Sequence, residues 1–385
     1  MKTLIELYDD RPIENVLGTE TFRPEETVFI CPPEIEKDRE LREALASYFA
    51  LRGCPTKLSF VPVSLLDAVK VEKTLRRVIE SHEDCALDIS GGTDAALFAA
   101  GAVSGDIPVY TYSHKKNMFF EIRNAPFARS LPCAVRLNAE ACFLMAGGRL
   151  LPGREDNAAL RGRLEDIDRL FRVYAEYRRV WNRQVSYIQR ISSASDPELT
   201  ARGKRTERAD NAVVNADEAM LSALQEAGLI LDLTVTEEEV SFRFLDETAR
   251  FWLRDMGSAL ELHVFRACLL AGCFDDVILS AVVNWHASGG KTDAVTNEID
   301  VMAVRGVQPM FISCKTCEIR TEALNELAIL RDRFGGKDSR AMIVTSAGGT
   351  RSRGPMRRRA AELGIEVVEW SDLKTEALIK RLTNT

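Results

Sequence analysis

The stretch Asn297-Glu-Ile-Asp-Val-Met-Ala-Val304, followed by a short turn and then Pro309-Met-Phe-Ile-Ser-Cys-Lys-Thr316, is the most informative part of this 385-residue chain. It predicts a β-hairpin, because both arms are mostly apolar and a turn separates them. The polar residues gather where the first strand begins and the second ends, and these ends lie side by side in an antiparallel pair. Asp300 and Lys315 are therefore expected to meet at one edge. Unpaired charges are costly in apolar strands, so this pair indicates a function.

Composition narrows the class of protein. An apolar content of 46% and a charged content of 28% are ordinary for a globular protein. The formal net charge of −7 argues against a protein that coats nucleic acid, so any such contact must be local. We see no signal peptide and no apolar run long enough for a membrane span. The nine cysteines lie mostly in apolar segments. We therefore expect reduced thiols and a cytoplasmic chain without a membrane partner.

Residues 1 to about 150 alternate short apolar strands with helical stretches, which is typical of a parallel, doubly wound α/β sheet. We predict strands at 4–8, 27–31, 57–63, 85–90 and 109–112, and helices at 39–52, 65–81 and 95–103.

Residues 151–245 have a different character. We predict a long helix at 164–191, a helix at 217–227 and a hairpin at 229–244. Helices beside a small hairpin resemble a winged helix-turn-helix. We favour a spacer that transmits motion between larger domains, because Thr236-Glu-Glu-Glu239 lacks the basic residues of a DNA-reading wing.

Residues 246–385 form a third unit built around the hairpin. The predicted order is helix, three strands, helix and strand, with elements at 248–271, 277–285, 297–316, 322–334, 341–345, 354–363 and 366–370. Asp300 is followed by twelve residues and then by Ser-Cys-Lys315. This pattern and this order resemble the PD-(D/E)xK nucleases, in which the acid binds a divalent metal and the lysine polarises the attacking water.

Metal-assisted cleavage of a phosphodiester needs carboxylates for Mg²⁺ or Mn²⁺ and a cation near the attacking water. Asp300 supplies a carboxylate and Lys315 the cation, and the carbonyl of Cys314 faces the metal if the strand is regular. Ser313 departs from the family pattern, which has Asp or Glu at that position. Either Ser313 binds through water or another acid substitutes.

Two acids are candidates for that ligand. Glu298 lies two residues before Asp300 and so points from the same strand face. Glu261 lies on the preceding helix, where related nucleases often carry a metal-binding acid, and it ranks slightly higher. The alternatives are that Glu298 caps the hairpin and Glu261 is solvated. An ordinary ion pair between Asp300 and Lys315, or an inactive nuclease, is also open.

A basic cluster near the last helix is a candidate for gripping a phosphate backbone. It contains Arg351, Arg353, Arg357, Arg358 and Arg359. The alternative is a solvated helix face.

A ligand site is predicted where Ser90-Gly-Gly-Thr-Asp94 joins a strand to a helix. Glycines let the backbone approach a ligand, and a helix N-terminus offers free N–H groups to an anion. Doubly wound sheets bind ligands at the carboxyl ends of their strands. Tyr8-Asp-Asp-Arg11 and Cys31-Pro-Pro-Glu34 follow two other strands and bear on the same site. A tight helix-capping turn without a ligand is the alternative.

Together, the amino-terminal α/β unit, the helical middle and the NEID…SCK segment resemble one family over nearly the whole chain. That family is the ancillary nucleases of type III CRISPR systems, which carry a CARF sensor domain and are activated by cyclic oligoadenylates. The resemblance implies a Rossmann-like CARF domain at 1–150, a helical, winged-helix-like linker at 151–245 and a PD-(D/E)xK domain at 246–385.

It also implies a homodimer that binds one cyclic tetra-adenylate across its two-fold axis. The implied substrate is single-stranded DNA and/or RNA. The implied ligand residues are Asp9, Asp10, Arg11, Pro32, Ser90, Gly91, Gly92, Thr93 and Asp94. Two other hypotheses remain: a CARF-type nucleic-acid-binding regulator with an inactive nuclease remnant, and a restriction-type nuclease whose first domain has another role.

Overall fold

The amino-terminal strands pair into a seven-stranded sheet in the computed structural model, which describes residues 1–153, 156–209, 212–286, 295–336, 339–347 and 353–384. The strands are β1 (Thr3–Leu7), β2 (Glu26–Cys31), β3 (Lys57–Pro62), β4 (Cys85–Asp88), β5 (Val109–Ser113), β6 (Met118–Arg123) and β7 (Leu131–Pro132). Their spatial order is β3-β2-β1-β4-β5-β6-β7. Strands β1 to β5 are parallel, and β6 and β7 are antiparallel additions. The predicted Rossmann-like sheet is therefore confirmed.

Helices cover both faces of this sheet. They are α1 (Leu17–Phe22), α2 (Pro33–Lys37), α3 (Arg39–Leu51), α4 (Ala68–Ser81), α5 (Asp94–Val103) and α6 (Ala139–Met145). Helices α4 and α5 pack on one face, and α3 packs on the other. Every residue of β1 is buried, as expected for a strand covered on both faces. The strand order reverses between β1 and β4, so the crevice outside their carboxyl ends is the expected ligand site.

The middle part contains helices and two small sheets. Its elements are β8 (Arg149–Leu151), α7 (Asn157–Arg161), α8 (Leu164–Tyr177), α9 (Trp181–Ile191), β9 (Thr200–Lys204), β10 (Thr206–Ala209), β11 (Ala212–Asn215), α10 (Glu218–Glu226), β12 (Ile230–Val235) and β13 (Glu239–Phe244). The predicted hairpin is β12–β13, and β9 extends it to three strands. We missed β9 because its sequence, Thr-Ala-Arg-Gly-Lys, lacks an apolar pattern.

The single helix predicted at 164–191 is wrong, because a turn separates α8 from α9. At this turn the Val180 N–H bonds the carbonyl of Tyr177, only three residues back. The turn lets Trp181 enter the core, where its ring lies edge-on to Tyr174 at 5.2 Å. Tertiary packing of a large side chain therefore interrupts a pattern that is helical throughout.

The carboxy-terminal part forms a second large sheet. Its elements are α11 (Glu247–Arg254), α12 (Ser258–Ala271), β14 (Asp276–Asn284), β15 (Thr296–Arg305), β16 (Gln308–Lys315), α13 (Thr321–Phe334), β17 (Arg340–Thr345), α14 (Arg353–Glu362), β18 (Ile365–Val368) and α15 (Thr375–Thr383). The strand order is β18-β17-β16-β15-β14-β8. Strand β8 straddles the boundary expected at residue 150 and completes this sheet by pairing with β14.

The single helix predicted at 248–271 is also wrong. It is broken between α11 and α12, where the Asp255 carboxylate accepts the N–H groups of Gly257 at 2.9 Å and Ser258 at 2.8 Å. An acidic side chain that caps backbone donors favours a new helix start. Because of this break, α12 packs on β14 and β15, whereas α11 packs on α9 and β13.

The two large sheets share one apolar core. It runs from Leu4 and Tyr110 in the first sheet, through Phe143 of α6, to Met302 and Phe311 in the second. The other face of the second sheet packs against α8 and α12 in a separate core. Because interiors are close-packed, a displacement in one sheet is felt in the other.

Two observations concern the environment of the chain. All nine cysteines are free thiols. Over the residues that the structure describes, no helix has the length and apolarity to cross a membrane.

Candidate functional site

The β15–β16 hairpin brings the predicted acid and lysine together. Gly306 has a φ of +61° in its turn, a conformation that glycine adopts without strain. Regular pairing runs from Arg305–Gln308 to Val301–Ile312 and then stops. Beyond it, Asp300 Oδ2 accepts the N–H of Cys314 at 2.6 Å. At the open end of the hairpin, the Asp300 carboxylate thus takes the place of a backbone carbonyl as the acceptor for the Cys314 N–H.

Lys315 and Ser313 reach the same carboxylate oxygen. Lys315 Nζ lies 3.5 Å from Asp300 Oδ2, and the Ser313 hydroxyl donates to it at 3.2 Å. Burial alone would lower the pKa of Lys315, but the charge and hydrogen bond of Asp300 together with the other acidic groups nearby, Glu261 included, raise it above its ordinary value. Lys315 is therefore a cation at neutral pH. Ser313 orients Asp300 through a hydrogen bond.

An open cleft of about 470 Å³ lies beside this pair. Its acidic lining residues are Asp255, Glu261, Glu298 and Asp300. Burial, followed by the charges of Asp300 and Asp255, raises the pKa of Glu261 to about 8. Crowded carboxylates of this kind favour either a proton or a bound cation.

The residues present fit a magnesium-like ion with few protein ligands. In the described ranges, no group of three or more His, Cys, Asp or Glu side chains is arranged to hold a metal. Mg²⁺ commonly uses one or two carboxylates and completes its shell with water and phosphate oxygens. Glu261, half-buried on α12, and Asp300 supply two such carboxylates at one cleft. Glu298 is exposed at the rim of the cleft, so Glu261 is the better placed of the two candidates.

The backbone of Cys314 also faces the cleft side of its strand. The carbonyl of the next residue, Lys315, accepts the N–H of Ser346 toward the β17 side. Backbone groups of successive strand residues point to opposite sides, so the N–H and C=O of Cys314 both point toward β15. Burial raises the pKa of the Cys314 thiol, which lies in the core. Only the carbonyl of this residue can therefore take part.

Asp255 and Ser280 are among the cleft residues that were not predicted from the sequence. Asp255 looked like part of a continuous helix, although it caps α12. Ser280 lines the cleft with a φ of +52°, a conformation that is uncommon for a non-glycine residue and marks functional sites in many proteins. Nothing in the apolar sequence of β14 signals this conformation.

The basic cluster is only partly described. Arg351 lies outside the described residues, and of Arg353 only its place at the start of α14 is described. Arg357 donates to Glu369, with one N–O distance of 2.7 Å. A phosphate backbone would have to replace this ion pair to be held by Arg357.

A larger crevice lies at the predicted ligand site, outside the ends of β1 and β2. It has a volume of about 930 Å³ and is lined by Tyr8, Asp9, Asp10, Pro32, Pro33, Glu34, Ser64, Leu65, Leu66, Gly92 and Thr93. Five of the predicted ligand residues line it: Asp9, Asp10, Pro32, Gly92 and Thr93. The loop 64–66 was missed, because it carries no glycine-rich or charged pattern that would single it out.

The Gly-Gly-Thr turn is held tightly against this crevice. Gly92 has a φ of +100°, and its N–H donates to Asp9 Oδ2 at 2.9 Å. A Cβ on Gly91 would lie 2.7 Å from Cβ of Asp9. The Thr93 hydroxyl accepts the N–H of Ala96 at 3.2 Å and donates to the carbonyl of Leu65. The turn therefore caps α5 and at the same time forms one wall of the crevice.

Other predicted ligand residues lie elsewhere. The Ser90 hydroxyl accepts the N–H of Tyr112 at 2.8 Å, and Asp94 is exposed in the first turn of α5. The Arg11 side chain lies away from the crevice and pairs with Asp9 at 3.0 Å and with Glu14 at 3.1 Å. Arg11 was expected to face the ligand, and its chain position alone could not show which way it points.

Arg11 instead borders the second sheet. The buried Glu14 carboxylate accepts both Arg11 and Nε2 of His114, the latter at 2.6 Å. Arg11 and His114 face a narrow gap that is also lined by Val307, Gln308, Pro309, Gly335 and Gly336. A chain of contacts therefore runs from Gly92 through Asp9, Arg11 and Glu14 to His114, and Arg11 and His114 face the turn of the hairpin across this gap. We call this chain the Arg11 relay.

Two buried acids lie next to the relay in the first sheet. Asp88 and Glu6 are both fully buried. Burial raises the pKa of Asp88 to about 7 and that of Glu6 well above its usual range. The folded chain therefore binds these protons more tightly than the unfolded chain does. The stability that they contribute is fully present below about pH 4 and is lost as the pH rises toward and beyond 7.

We expect Asp88→Asn to stabilise the chain more at pH 8 than at pH 5, by roughly 2 kcal/mol. Asn keeps the acceptor for the N–H of Ser90, which lies 2.7 Å from Asp88 Oδ1, and removes the charge. Urea unfolding at both pH values measures the difference, with Asp106→Asn as the exposed control. An equal effect at the two pH values would show that Asp88 does not titrate in this range.

Comparisons with known proteins agree with this architecture. Residues 246–383 match the family model of the Card1-like endonuclease domain. A search of curated protein sequences gave no match. Protein VC1899 from Vibrio cholerae superposes with a TM-score of 0.75 at 19% sequence identity, over 99% of this chain and 97% of that one.

Can2 from Sulfobacillus thermosulfidooxidans, solved in complex with cyclic tetra-adenylate, superposes with a TM-score of 0.71 at 14% identity, over 99% of both chains. At these identities the two structures show a shared fold along nearly the whole chain. The family match is to the part that contains Asp300, Lys315 and Glu261. The predicted nuclease is therefore confirmed at the level of the enzyme class, and residues 246–383 are similar to the Card1-like endonuclease domain.

Proposed function

We propose that this chain is a metal-dependent nuclease of CRISPR antiviral defence, activated by cyclic tetra-adenylate and acting on single-stranded DNA and/or RNA. The observation that carries the proposal is the pairing of Asp300 with Lys315 beside Glu261, within a Card1-like endonuclease domain. The free thiols fit a reducing cytoplasm, where we propose that the chain acts. We retain three domains, 1–150, 151–245 and 246–385, with β8 contributed to the third.

The cleft residues divide the chemistry between them. Asp300, Glu261 and the carbonyl of Cys314 would hold Mg²⁺ or Mn²⁺, which supplies an activated water and steadies the charge on the phosphate. Lys315, kept positive by Asp300, orients the attacking water and offsets developing negative charge. Ser313 fixes the carboxylate of Asp300. Because Glu261 supplies the second acid, the absence of an acid at position 313 does not imply an inactive enzyme.

The crevice of the first sheet suits a cyclic oligonucleotide, because its acidic side chains and its helix N-terminus can contact different parts of such a ligand. Asp9, Asp10 and Glu34 would repel phosphates, but they can accept hydrogen bonds from adenine amino groups and ribose hydroxyls. The N-terminus of α5, which follows Thr93, offers N–H groups to a phosphate. The complex of Can2 with cyclic tetra-adenylate, in a chain of the same fold, supports this ligand.

A homodimer would cover an exposed apolar patch beside the crevice. Leu66, Val69 and Phe98 are 81%, 62% and 76% exposed, although apolar side chains of this size are usually covered. Two copies related by a two-fold axis would bury the patch and enclose a ligand of the same symmetry. Sedimentation of Phe98→Glu measures this, since a charge at the centre of such an interface should yield monomers. A dimer that persists unchanged would exclude this face.

The Arg11 relay gives the messenger a physical route to the cleft. Its members Arg11 and His114 face, across a narrow gap, the turn between β15 and β16, the strands that carry Asp300 and Lys315. Ligand binding at Asp9 and Gly92 can shift this turn only if the ligand binds the active arrangement better than the idle one. We therefore propose that the messenger favours the position of the hairpin in which the cleft accepts substrate.

Cleavage assays with the full chain test the proposal. Labelled single-stranded DNA and RNA are incubated with Mg²⁺ or Mn²⁺, with and without cyclic tetra-adenylate. Cleavage only when both metal and messenger are present is the expected result. Binding of nucleic acid without cleavage would instead indicate a regulator. Cleavage that does not depend on the messenger would indicate a restriction-type nuclease whose first domain has another role.

A further inference from the structure

Phe251 is an exposed aromatic residue on the wall of the acidic cleft. Its side chain is 39% exposed and lines the cleft together with Asp255, Glu261 and Asp300. Within the described residues it belongs to none of the apolar cores, whereas its neighbours Trp252 and Leu253 are fully buried. On an amphipathic helix this position ordinarily carries a polar side chain. The ring is therefore available to a ligand in the cleft.

Helix α11, which carries Phe251, is anchored by its neighbours. Arg254 donates to the carbonyl of Ser192 at 2.6 Å, and Arg250 donates to the carbonyl of Asp196. On the buried face, the guanidinium of Arg163 lies 4.8 Å from the ring centre of Trp252. These contacts anchor α11 at several points. The capped turn at Asp255 then fixes α11 relative to α12, which carries Glu261.

We propose that Phe251 stacks on an unpaired base of the substrate, next to the phosphate held at Asp300 and Glu261. This inference rests on the proposed nuclease function and assigns a residue to the recognition of its single-stranded substrate. The acids and Lys315 account for a metal and a phosphate, but among the described residues that line the cleft only Phe251 offers a π face. Its ring has no hydrogen-bonding groups, so it accepts every base alike. Bases inside a duplex are already stacked on their neighbours, so the ring selects single-stranded segments.

Replacement of the ring tests the inference in the messenger-activated full chain. Base–aromatic stacking contributes roughly 1–3 kcal/mol per base, which corresponds to about a 5- to 150-fold change in affinity. We expect Phe251→Leu to raise KM for single-stranded substrate by a factor in that range, with kcat within about threefold. Phe251→Trp should keep the wild-type KM. Leu270→Ala, a change at an exposed apolar residue that does not line the cleft, is the matched control.

A spectroscopic readout decides the matter independently of cleavage. A single-stranded oligonucleotide carrying 2-aminopurine should lose fluorescence on binding to the wild type, because stacking quenches this base. With Phe251→Leu most of the quenching should be lost. An unchanged KM together with unchanged quenching would overturn the inference. If the wild type does not cleave at all, the proposed function fails, and the quenching experiment still shows whether Phe251 stacks on a base.

Discussion

Asp300→Asn is expected to lower the rate of messenger-activated cleavage by at least about 1,000-fold, because it removes the charge that holds the metal. Asn has almost the same shape and can still accept the N–H of Cys314, which lies 2.6 Å from the carboxylate. The hairpin should therefore keep its geometry. The crevice of the first sheet contains neither Asp300 nor any other residue of the cleft, so messenger affinity should stay within about twofold.

Lys315→Met is the companion variant and separates the role of the cation from that of the acid. Met keeps the apolar stem of a side chain that is half-buried beside Asp300. We expect a loss of roughly 100- to 1,000-fold in kcat with little change in the metal concentration needed for activity. Lys374→Met, at an exposed lysine before α15, is the matched control. Cleavage retained in both Asp300→Asn and Lys315→Met would exclude this site.

The same assay distinguishes Glu261 from Glu298 as the carboxylate that takes the place of the acid missing at position 313. Glu261 is half-buried and its pKa is raised to about 8, whereas Glu298 is exposed at the rim. A metal ligand in a crowded acidic cleft is expected to be the buried group, since the cation relieves the repulsion that raises its pKa. Glu261→Gln should therefore raise the metal concentration required for cleavage more than Glu298→Gln does.

The sequence predicted those features that depend on local pattern and on strand ends. The alternation of strands and helices defined the first sheet, and the hairpin brought Asp300 and Lys315 to the same end because the ends of antiparallel strands lie side by side. The turn before Trp181 and the break at Asp255 could not be seen in the same way. Both interrupt helical patterns that contain no proline there, so tertiary packing and a side-chain cap decide them.

Features built from segments that are far apart in the chain could not be predicted from the sequence either. Strand β8 is three residues long, and its pairing with β14 depends on the path of the chain through α6. The loop at Leu65 and Leu66 lines the crevice only because β3 lies next to β2. Arg11 follows β1 directly, so its position suggested a ligand contact. Its direction is set by Glu14, which sequence spacing alone does not reveal.

The orientation of the Arg11 side chain toward Glu14 leads to a second prediction with a large expected effect on activation. Arg11→Met is expected to reduce messenger-activated cleavage by roughly 10-fold or more, within the 5- to 150-fold span of typical allosteric coupling. Met keeps the apolar stem of Arg11, whose Cγ would lie 3.7 Å from a Cβ added to Gly336. It removes the guanidinium, which pairs with both Asp9 and Glu14. Cleavage at saturating messenger measures the effect. Arg39→Met, at an exposed arginine that pairs with Glu43, is the control.

His114→Asn tests the far end of the Arg11 relay, because His114 contacts Glu14 but does not line the messenger crevice. If the relay carries the signal, this variant should lose activation while binding the messenger normally. The double variant should then lose little more than either single one, since members of one network are not additive. If Arg11→Met instead lowers messenger affinity and activation to the same extent, Arg11 belongs to the ligand site.

Thermodynamic reciprocity provides the strictest test of the relay. If messenger favours substrate binding in the cleft, substrate must favour messenger binding by the same factor. Titration of the messenger into Asp300→Asn, with and without an uncleaved single-stranded oligonucleotide, measures that factor directly. The factor should exceed about fivefold with Arg11 present and approach one in the double variant Asp300→Asn, Arg11→Met. An equal factor in both would show that the two sites communicate through the shared apolar core around Phe143 and Met302 instead.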